Sequence, residues 1–352
     1  MADGLAPAPR ERGWARLALV LAAFLLVPLV PALRVLLPVE HTLVLLVPTV
    51  AVCFLLGWWA GGRLSLALVW VAFAAWVIAQ PARETDPSYY DLARAWSLLL
   101  AGAFGVTCIL GKQGPFFRRA LIAVGLALLV GLAHLVAGRT SFRRVERILD
   151  EQYEIRNQRS IEGLTMRWRD IVRGVPAMRD VMTSASADPS FDRFAFELHR
   201  LSRTASPLFP ALLALESLAV CALAWTLYHR LSRARIGPAL APLRDFRFHD
   251  HLAWGLIVGL TLVLLPAFGS LARVGQSLVL FFGMLYALRG LGVIDSFVRR
   301  SAALVGIAAI IAIGWPRPFI ALVVLAVLLG LFAVLGVSDA WGDWRRRIRA
   351  AS

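Results

Sequence analysis

Ten apolar stretches, most of them long enough to cross a lipid bilayer, occupy most of this 352-residue chain. They set the solvent in which it folds. About 20 residues rising 1.5 Å each span the hydrocarbon, so runs of roughly 18 or more apolar residues read as transmembrane helices. They lie near residues 14–37, 41–60, 64–80, 95–111, 120–138, 207–228, 252–272, 277–294, 301–315 and 318–337. The ninth is short, and Trp315-Pro316-Arg317-Pro318 leaves it tilted, re-entrant or merged with its neighbour. The first is too long for a signal-peptide core and lacks a clear small-residue cleavage site before the next span. With 59% hydrophobic residues and a mean hydropathy of +0.71, the expected fold class is an all-α integral membrane protein of about ten helices.

A net charge of +15 would suggest nucleic acid in a soluble protein. Here its distribution argues otherwise. With a cytoplasmic N-terminus, the cytoplasmic ends of the spans hold 18 Lys plus Arg and the short outer loops only 5. That asymmetry is the positive-inside pattern, so the charge encodes topology and no nucleic-acid partner is expected. It also puts both termini in the cytoplasm, in what reads as a bacterial inner membrane. Cys53, Cys108 and Cys221 all fall inside spans, as small apolar fillers rather than a disulfide or zinc framework.

The chain divides into residues 1–138 with five spans, a polar insert at 139–206, and residues 207–352 with about five more. In the insert, Ile161, Leu164, Trp168, Ile171, Val172 and Val175 recur at helical spacing, as do Phe191, Phe194, Leu198 and Leu201. Pro176 and the 183–189 stretch separate the two, and Asp188-Pro189 forms an N-cap and N1 pair. The expectation is an extracytoplasmic hairpin of two amphipathic helices. With 13 Arg against 10 Asp plus Glu, it packs on the span ends or offers a docking face to protein or lipid headgroups.

Three groups of residues are candidates for a binding site. Glu216 lies nine residues into the span that begins at Pro207, about 13 Å deep by helical rise and so near the bilayer midplane. An ionised carboxylate there costs about 2.5–3.5 kcal/mol unless it is protonated, paired or facing a cavity. It reads either as a proton-linked or substrate-binding group or as a neutral acid in an interhelical hydrogen bond. On span eight, Tyr286, Arg289 and Asp295 come with Gly283, Gly290 and Gly292, which permit close helix approach, and Gln276 caps the other end. Arg289 needs a partner in lipid, and Asp295 and Glu216 are the options. The third group, Arg244, Arg247, His249, Asp250 and His251 leading into Trp254, reads as an interface collar, with rings and guanidiniums at headgroup level. Its two histidines suggest a metal, but no third or fourth ligand stands at matching depth, so no metal is expected.

No catalytic residue and no cofactor follows from the sequence. Gly105 to Gly111-Lys112 imitates a phosphate loop with one residue too many, and it lies in a span. His-Glu-x-x-His, Gly-x-Ser-x-Gly and the dinucleotide fingerprint are all absent, so catalysis is disfavoured.

Pro210 with its apolar span, Leu231 to Gly237-Pro238, Phe246-Arg247-Phe248 before Trp254, and Gly275-Gln276 with Phe282, Tyr286 and Gly290-Leu291 together form a pattern. It resembles the YybS-like family of uncharacterised bacterial polytopic membrane proteins, a domain of unknown function. The resemblance covers the C-terminal two-fifths of the chain; the first five spans match only in hydropathy. That family is distantly similar to S components of energy-coupling-factor transporters and to the rod-shape protein MreD. Ala18 and Ala22 have the small-xxx-small spacing by which S components dock. The resemblance implies a transport-type protein that binds an unknown small molecule and works with a separate energising subunit. The alternatives are a scaffold in cell-envelope assembly or division and, more weakly, an intramembrane enzyme on a lipid-linked substrate.

Overall fold

Prolines divide two of the apolar stretches into separate helices, whereas Pro48 lies inside an unbroken one. The computed structural model of the protein describes residues 14–34, 36–82, 86–111, 114–138, 142–174, 189–297 and 318–342. Its helices are α1 (Trp14–Leu26), α2 (Pro31–Arg34), α3 (Thr42–Trp59), α4 (Leu64–Ala79), α5 (Pro87–Leu110) and α6 (Phe116–Ala137). They continue with α7 (Phe142–Gly174), α8 (Pro189–Ala205), α9 (Phe209–Leu231), α10 (Ala253–Leu264), α11 (Ala272–Phe297) and α12 (Pro318–Gly342). No strand occurs among the described residues.

Two expected spans are broken. Over residues 14–37, Pro28 falls in a 3-10 turn after α1 and Pro31 opens the four-residue α2, because proline lacks the N–H that would continue the ladder. Residues 36–41 then run without helix into α3. Near 252–272, Leu265 is held extended by Pro266, so α10 stops at Leu264 and a 3-10 segment leads into α11, which starts at Ala272 rather than 277.

Helices α3, α5, α6, α9 and α11 are long and apolar enough to cross a membrane, and shorter apolar stretches fall in α1, α4, α10 and α12. Nine of the ten expected spans thus have a helical counterpart among the described residues. The ninth, 301–315, lies outside them. The chain is an all-α, multi-pass membrane protein. Leu68, Val69 and Trp76 on α4, and Leu129 and Val136 on α6, point away from the protein. Such a surface is stable only against lipid.

One core joins α3, α5, α6 and α9 through Leu45, Phe54, Leu100, Phe104, Ala120, Val124, Val220 and Trp225, and the three free cysteines lie buried in it. A second gathers α10, α11 and α12 around Phe248, Leu285 and Tyr286, and Leu218 and Phe281 touch both. The insert does form two helices, α7 and α8, tied by a Tyr153–Leu198–Ala205 cluster and by Asn157, whose amide donates to the Ser202 hydroxyl at 2.8 Å. Ile161 and Leu201 pack on that cluster as expected. The link at 175–188, with Pro176 and Asp188, and the side chains of Leu164, Trp168, Phe191 and Phe194 lie outside the described ones.

Candidate functional site

Among the described residues, the most densely connected polar cluster lies where α7 crosses the end of the bundle. Over Leu149 to Ser160, the buried face of α7 is mostly polar: Gln152, Arg156, Asn157 and Ser160 recur at one-turn spacing, with Tyr153 among them. Asp86 caps α5 by accepting from the Tyr89 N–H at 2.9 Å, with Pro87 at the first helical position, and this presents Tyr89 to the seam.

Arg156 is 2% exposed and engages four groups. It donates to the carbonyls of Leu37 and Pro38 at 2.9 Å each, to the Tyr89 hydroxyl at 2.6 Å, and pairs with Glu40 at 3.3 Å. Tyr89 in turn donates to the Pro38 carbonyl, and Arg34 pairs with the same Glu40 carboxylate. Gln152 bridges the Glu40 carboxylate and the Asp86 N–H, both at 3.3 Å. Non-helical backbone at 36–41 exposes peptide groups that a helix would satisfy internally; these side chains supply the missing partners. Burial pushes the Glu40 carboxyl up, but Arg156 and Arg34 outweigh it and hold it below the ordinary 4.5. Glu40 is therefore an anion in the folded protein at neutral pH.

Glu216, 5% exposed, approaches the same loop from α9: its Oε2 accepts from the Val39 N–H at 3.0 Å. Because Val39 lies in the loop just before α3, the carboxyl stands near the hairpin end of the bundle rather than midway along the helices. Among the described residues its Oε1 is buried without a hydrogen-bond partner, and so is the Tyr153 hydroxyl. The two residues lie within electrostatic reach of each other and of Arg156. Burial pushes the Tyr153 hydroxyl up to about 12, so it remains a proton donor.

The second cluster occupies the opposite end. Arg289, 4% exposed, donates from Nε to Asp339 at 3.1 Å, from Nη2 to the Asp339 carbonyl at 3.3 Å, and from Nη1 to Asp250 at 3.2 Å. Its guanidinium also lies over Phe248 at 5.5 Å, and Phe248 meets the Tyr286 ring edge-on at 5.0 Å. Beside the pair, α11 and α12 touch backbone to backbone: a Cβ on Gly290 would run into the Phe332 carbonyl, and one on Gly336 into that of Tyr286.

The structure therefore separates the residues that the sequence grouped. Glu216 does not meet Arg289; one binds the Val39 amide and the other binds Asp339 and Asp250, at opposite ends of the molecule. Asp295, half-buried, is not the partner of Arg289. Gln276 is exposed on the first turns of α11, remote from Tyr286. Of the collar, Asp250 and Phe248 join the Arg289 cluster. His249 and His251 stack at 4.3 Å, Arg247 is exposed, Trp254 is 64% exposed, and the side chain of Arg244 lies outside the described ones. No group of three metal-ligating side chains converges among the described residues.

Sequence reasoning missed Arg156, Glu40, Gln152, Tyr89 and Asp339. One signal was present: Gln152, Arg156 and Ser160 at successive turns form a polar stripe with uncharged neighbours Asn157 and Tyr153, which a solvated helix face does not need.

Residues 186–340 match the model of a family described as a predicted membrane protein (DUF2232), a family of unknown function. The match takes in α8 to α12, and hence Glu216, Arg289 and Asp339, but not α7 or Arg156. No curated protein and no solved structure matches the chain.

Proposed function

We propose that the protein is a scaffold of the bacterial cytoplasmic membrane, with both termini in the cytoplasm and the α7–α8 hairpin outside as its docking face. The observation that carries this reading is Arg156. A hairpin fixed to the bundle by a buried four-partner side chain presents its outward charges in one orientation, which recognition of a partner requires and a loosely tethered cap does not. That outward face is charged: Glu151, Glu154, Arg159 and Glu162 are exposed along α7. The charge asymmetry across the spans supports the orientation. The resemblance of residues 210–295 to YybS-like proteins, and more distantly to MreD, supports an envelope-assembly role.

A photo-crosslinking residue at Glu151 or Arg159, used in native membranes, tests the reading. A common protein partner captured from both positions is expected. Capture of nothing from either position, while sites at the opposite end do capture protein, rejects the hairpin as the docking face.

The second reading is a solute-binding transport component akin to an S component, and one observation favours it: the buried Glu216 Oε1 and Tyr153 hydroxyl have no hydrogen-bond partner among the described residues. A solute with a donor and an acceptor would satisfy both. The two readings differ on Glu216→Gln. The scaffold predicts unchanged crosslinking, since a neutral amide oxygen still accepts from the Val39 N–H. The transport reading predicts loss of a small molecule that mass spectrometry finds retained by the gently purified wild type, together with an ATPase–transmembrane pair.

A further inference from the structure

The end of the bundle away from the hairpin carries a basic cleft that neither functional reading uses. Helix α3 runs out at the exposed Trp58 and Trp59, Gly61 turns the chain with a φ of 94°, and Arg63 leads into α4. Beside it α9 ends at Leu231, and the following turn is tied down. The Tyr228 hydroxyl donates to the Ala234 carbonyl at 2.7 Å and accepts from the Ile236 N–H at 3.2 Å. The Ser232 hydroxyl donates to the same carbonyl at 2.8 Å. A Cβ on Gly62 would meet that of Ala234 at 3.4 Å, so the two turns abut.

Between them lies a cleft of about 40 Å³. Phe54, Trp58, Leu66 and Leu231 give it apolar walls, Ser232 adds a polar group, and its rim carries Arg63 and Arg233. No carboxylate lines it, and neither arginine has an acidic partner among the described residues. Two guanidiniums on the rim of one cleft without a counter-charge repel, and an anion between them removes that repulsion. The anion can be specified further. Exposed tryptophans at the end of an apolar helix mark the headgroup level of a membrane. Guanidinium matches phosphate geometry with paired donors. Apolar walls give a free inorganic anion nothing to bind, but they accept the glycerol and upper acyl carbons that follow a headgroup phosphate.

We propose that this cleft binds the headgroup phosphate of one anionic phospholipid, with Arg63 and Arg233 donating to its oxygens and the acyl chains lying along α3 and α4. The site is independent of the hairpin and of Glu216.

The test is native mass spectrometry of the detergent-purified, delipidated full chain titrated with phosphatidylglycerol, with phosphatidylcholine and inorganic phosphate in parallel. One retained phosphatidylglycerol per chain is expected. In the Arg63→Gln/Arg233→Gln double variant its affinity should fall about tenfold or more, given the strength of charge-assisted hydrogen bonds. Arg94→Gln/Arg273→Gln, which removes equal charge at the hairpin end, should leave it unchanged. Both arginines of the cleft are exposed, so the variant should fold; an unchanged melting temperature confirms that. Equal retention by the cleft variant, equal binding of phosphatidylcholine, or displacement of the lipid by millimolar inorganic phosphate would each overturn the proposal.

Discussion

Arg156→Met is expected to destabilise the protein by about 3–5 kcal/mol, the range for removing one partner of a buried ion pair. It should also release the hairpin from the membrane domain. The loss exceeds that of a surface pair because the substitution strands several groups at once. Glu40 keeps only Arg34 and the Gln152 amide, and the carbonyls of Leu37 and Pro38 lose their charged donor. Arg156→Lys should recover only part of the loss. An ammonium cannot reach two carbonyls, a phenol and a carboxylate with the fixed fork of a guanidinium. Adding Glu40→Leu to Arg156→Met should also recover only part, since it removes the stranded charge but does not restore the donors lost by the Leu37 and Pro38 carbonyls.

Thermal unfolding in micelles and protease sensitivity of α7 read these effects. A melting temperature and protease pattern equal to wild type would refute the clamp. The pH dependence follows from Glu40, whose folded pKa is depressed. Its contribution is fully present above 4.5 and is lost as pH falls through the lower folded value. The wild type should therefore show no weakening of the hairpin between about pH 5 and 8 from this group.

The second large effect is expected at the α11–α12 crossing. Gly290→Ala adds a single carbon, but that carbon meets the Phe332 carbonyl of the neighbouring backbone rather than a side chain that could rotate away. The helices must separate, at a cost of about 3 kcal/mol or more, the upper part of the range for overpacking. Separation also stretches the Arg289–Asp339 pair, and Asp339 is 1% exposed. Gly336→Ala should behave alike, since its Cβ meets the Tyr286 carbonyl. Gly283→Ala on the same helix is the control. It faces open space and should be neutral or stabilise by about 0.5–1 kcal/mol through helix propensity. Melting temperatures of the three variants in one detergent decide the matter; an equal effect at Gly283 and Gly290 would contradict the backbone contact.

Much of the architecture was legible because lipid imposes a one-dimensional rule. A residue's neighbours in sequence are enough to say whether it can sit in hydrocarbon, so nine expected spans have helical counterparts. Where the rule was misread, proline is the reason. Pro28, Pro31 and Pro266 lie within apolar runs that hydropathy counts as continuous, yet each removes a backbone donor and breaks the helix. The candidate site was less legible. Glu216 and Arg289 stood out because charge in a span is costly; both are buried, Arg289 in an ion pair and Glu216 on a backbone amide. Their partners did not stand out: Val39 contributes a backbone amide, which no pattern of side chains reports. Asp339 sits near the end of an apolar run, where an acid is unremarkable.

The sequence by itself determined the solvent, the helical class, the existence of the two-helix insert and the fact that Glu216 and Arg289 must be satisfied. Each follows from composition over one or two helical turns. Only the tertiary structure decided that the two side chains serve opposite ends of the molecule, and that Arg156, one of 13 arginines in a polar insert, is buried. The physical reason is distance along the chain. Arg156 reaches Leu37 and Pro38 across more than a hundred residues, and Glu216 reaches Val39 across still more. Such pairings are fixed by how helices pack, and local composition carries no record of them.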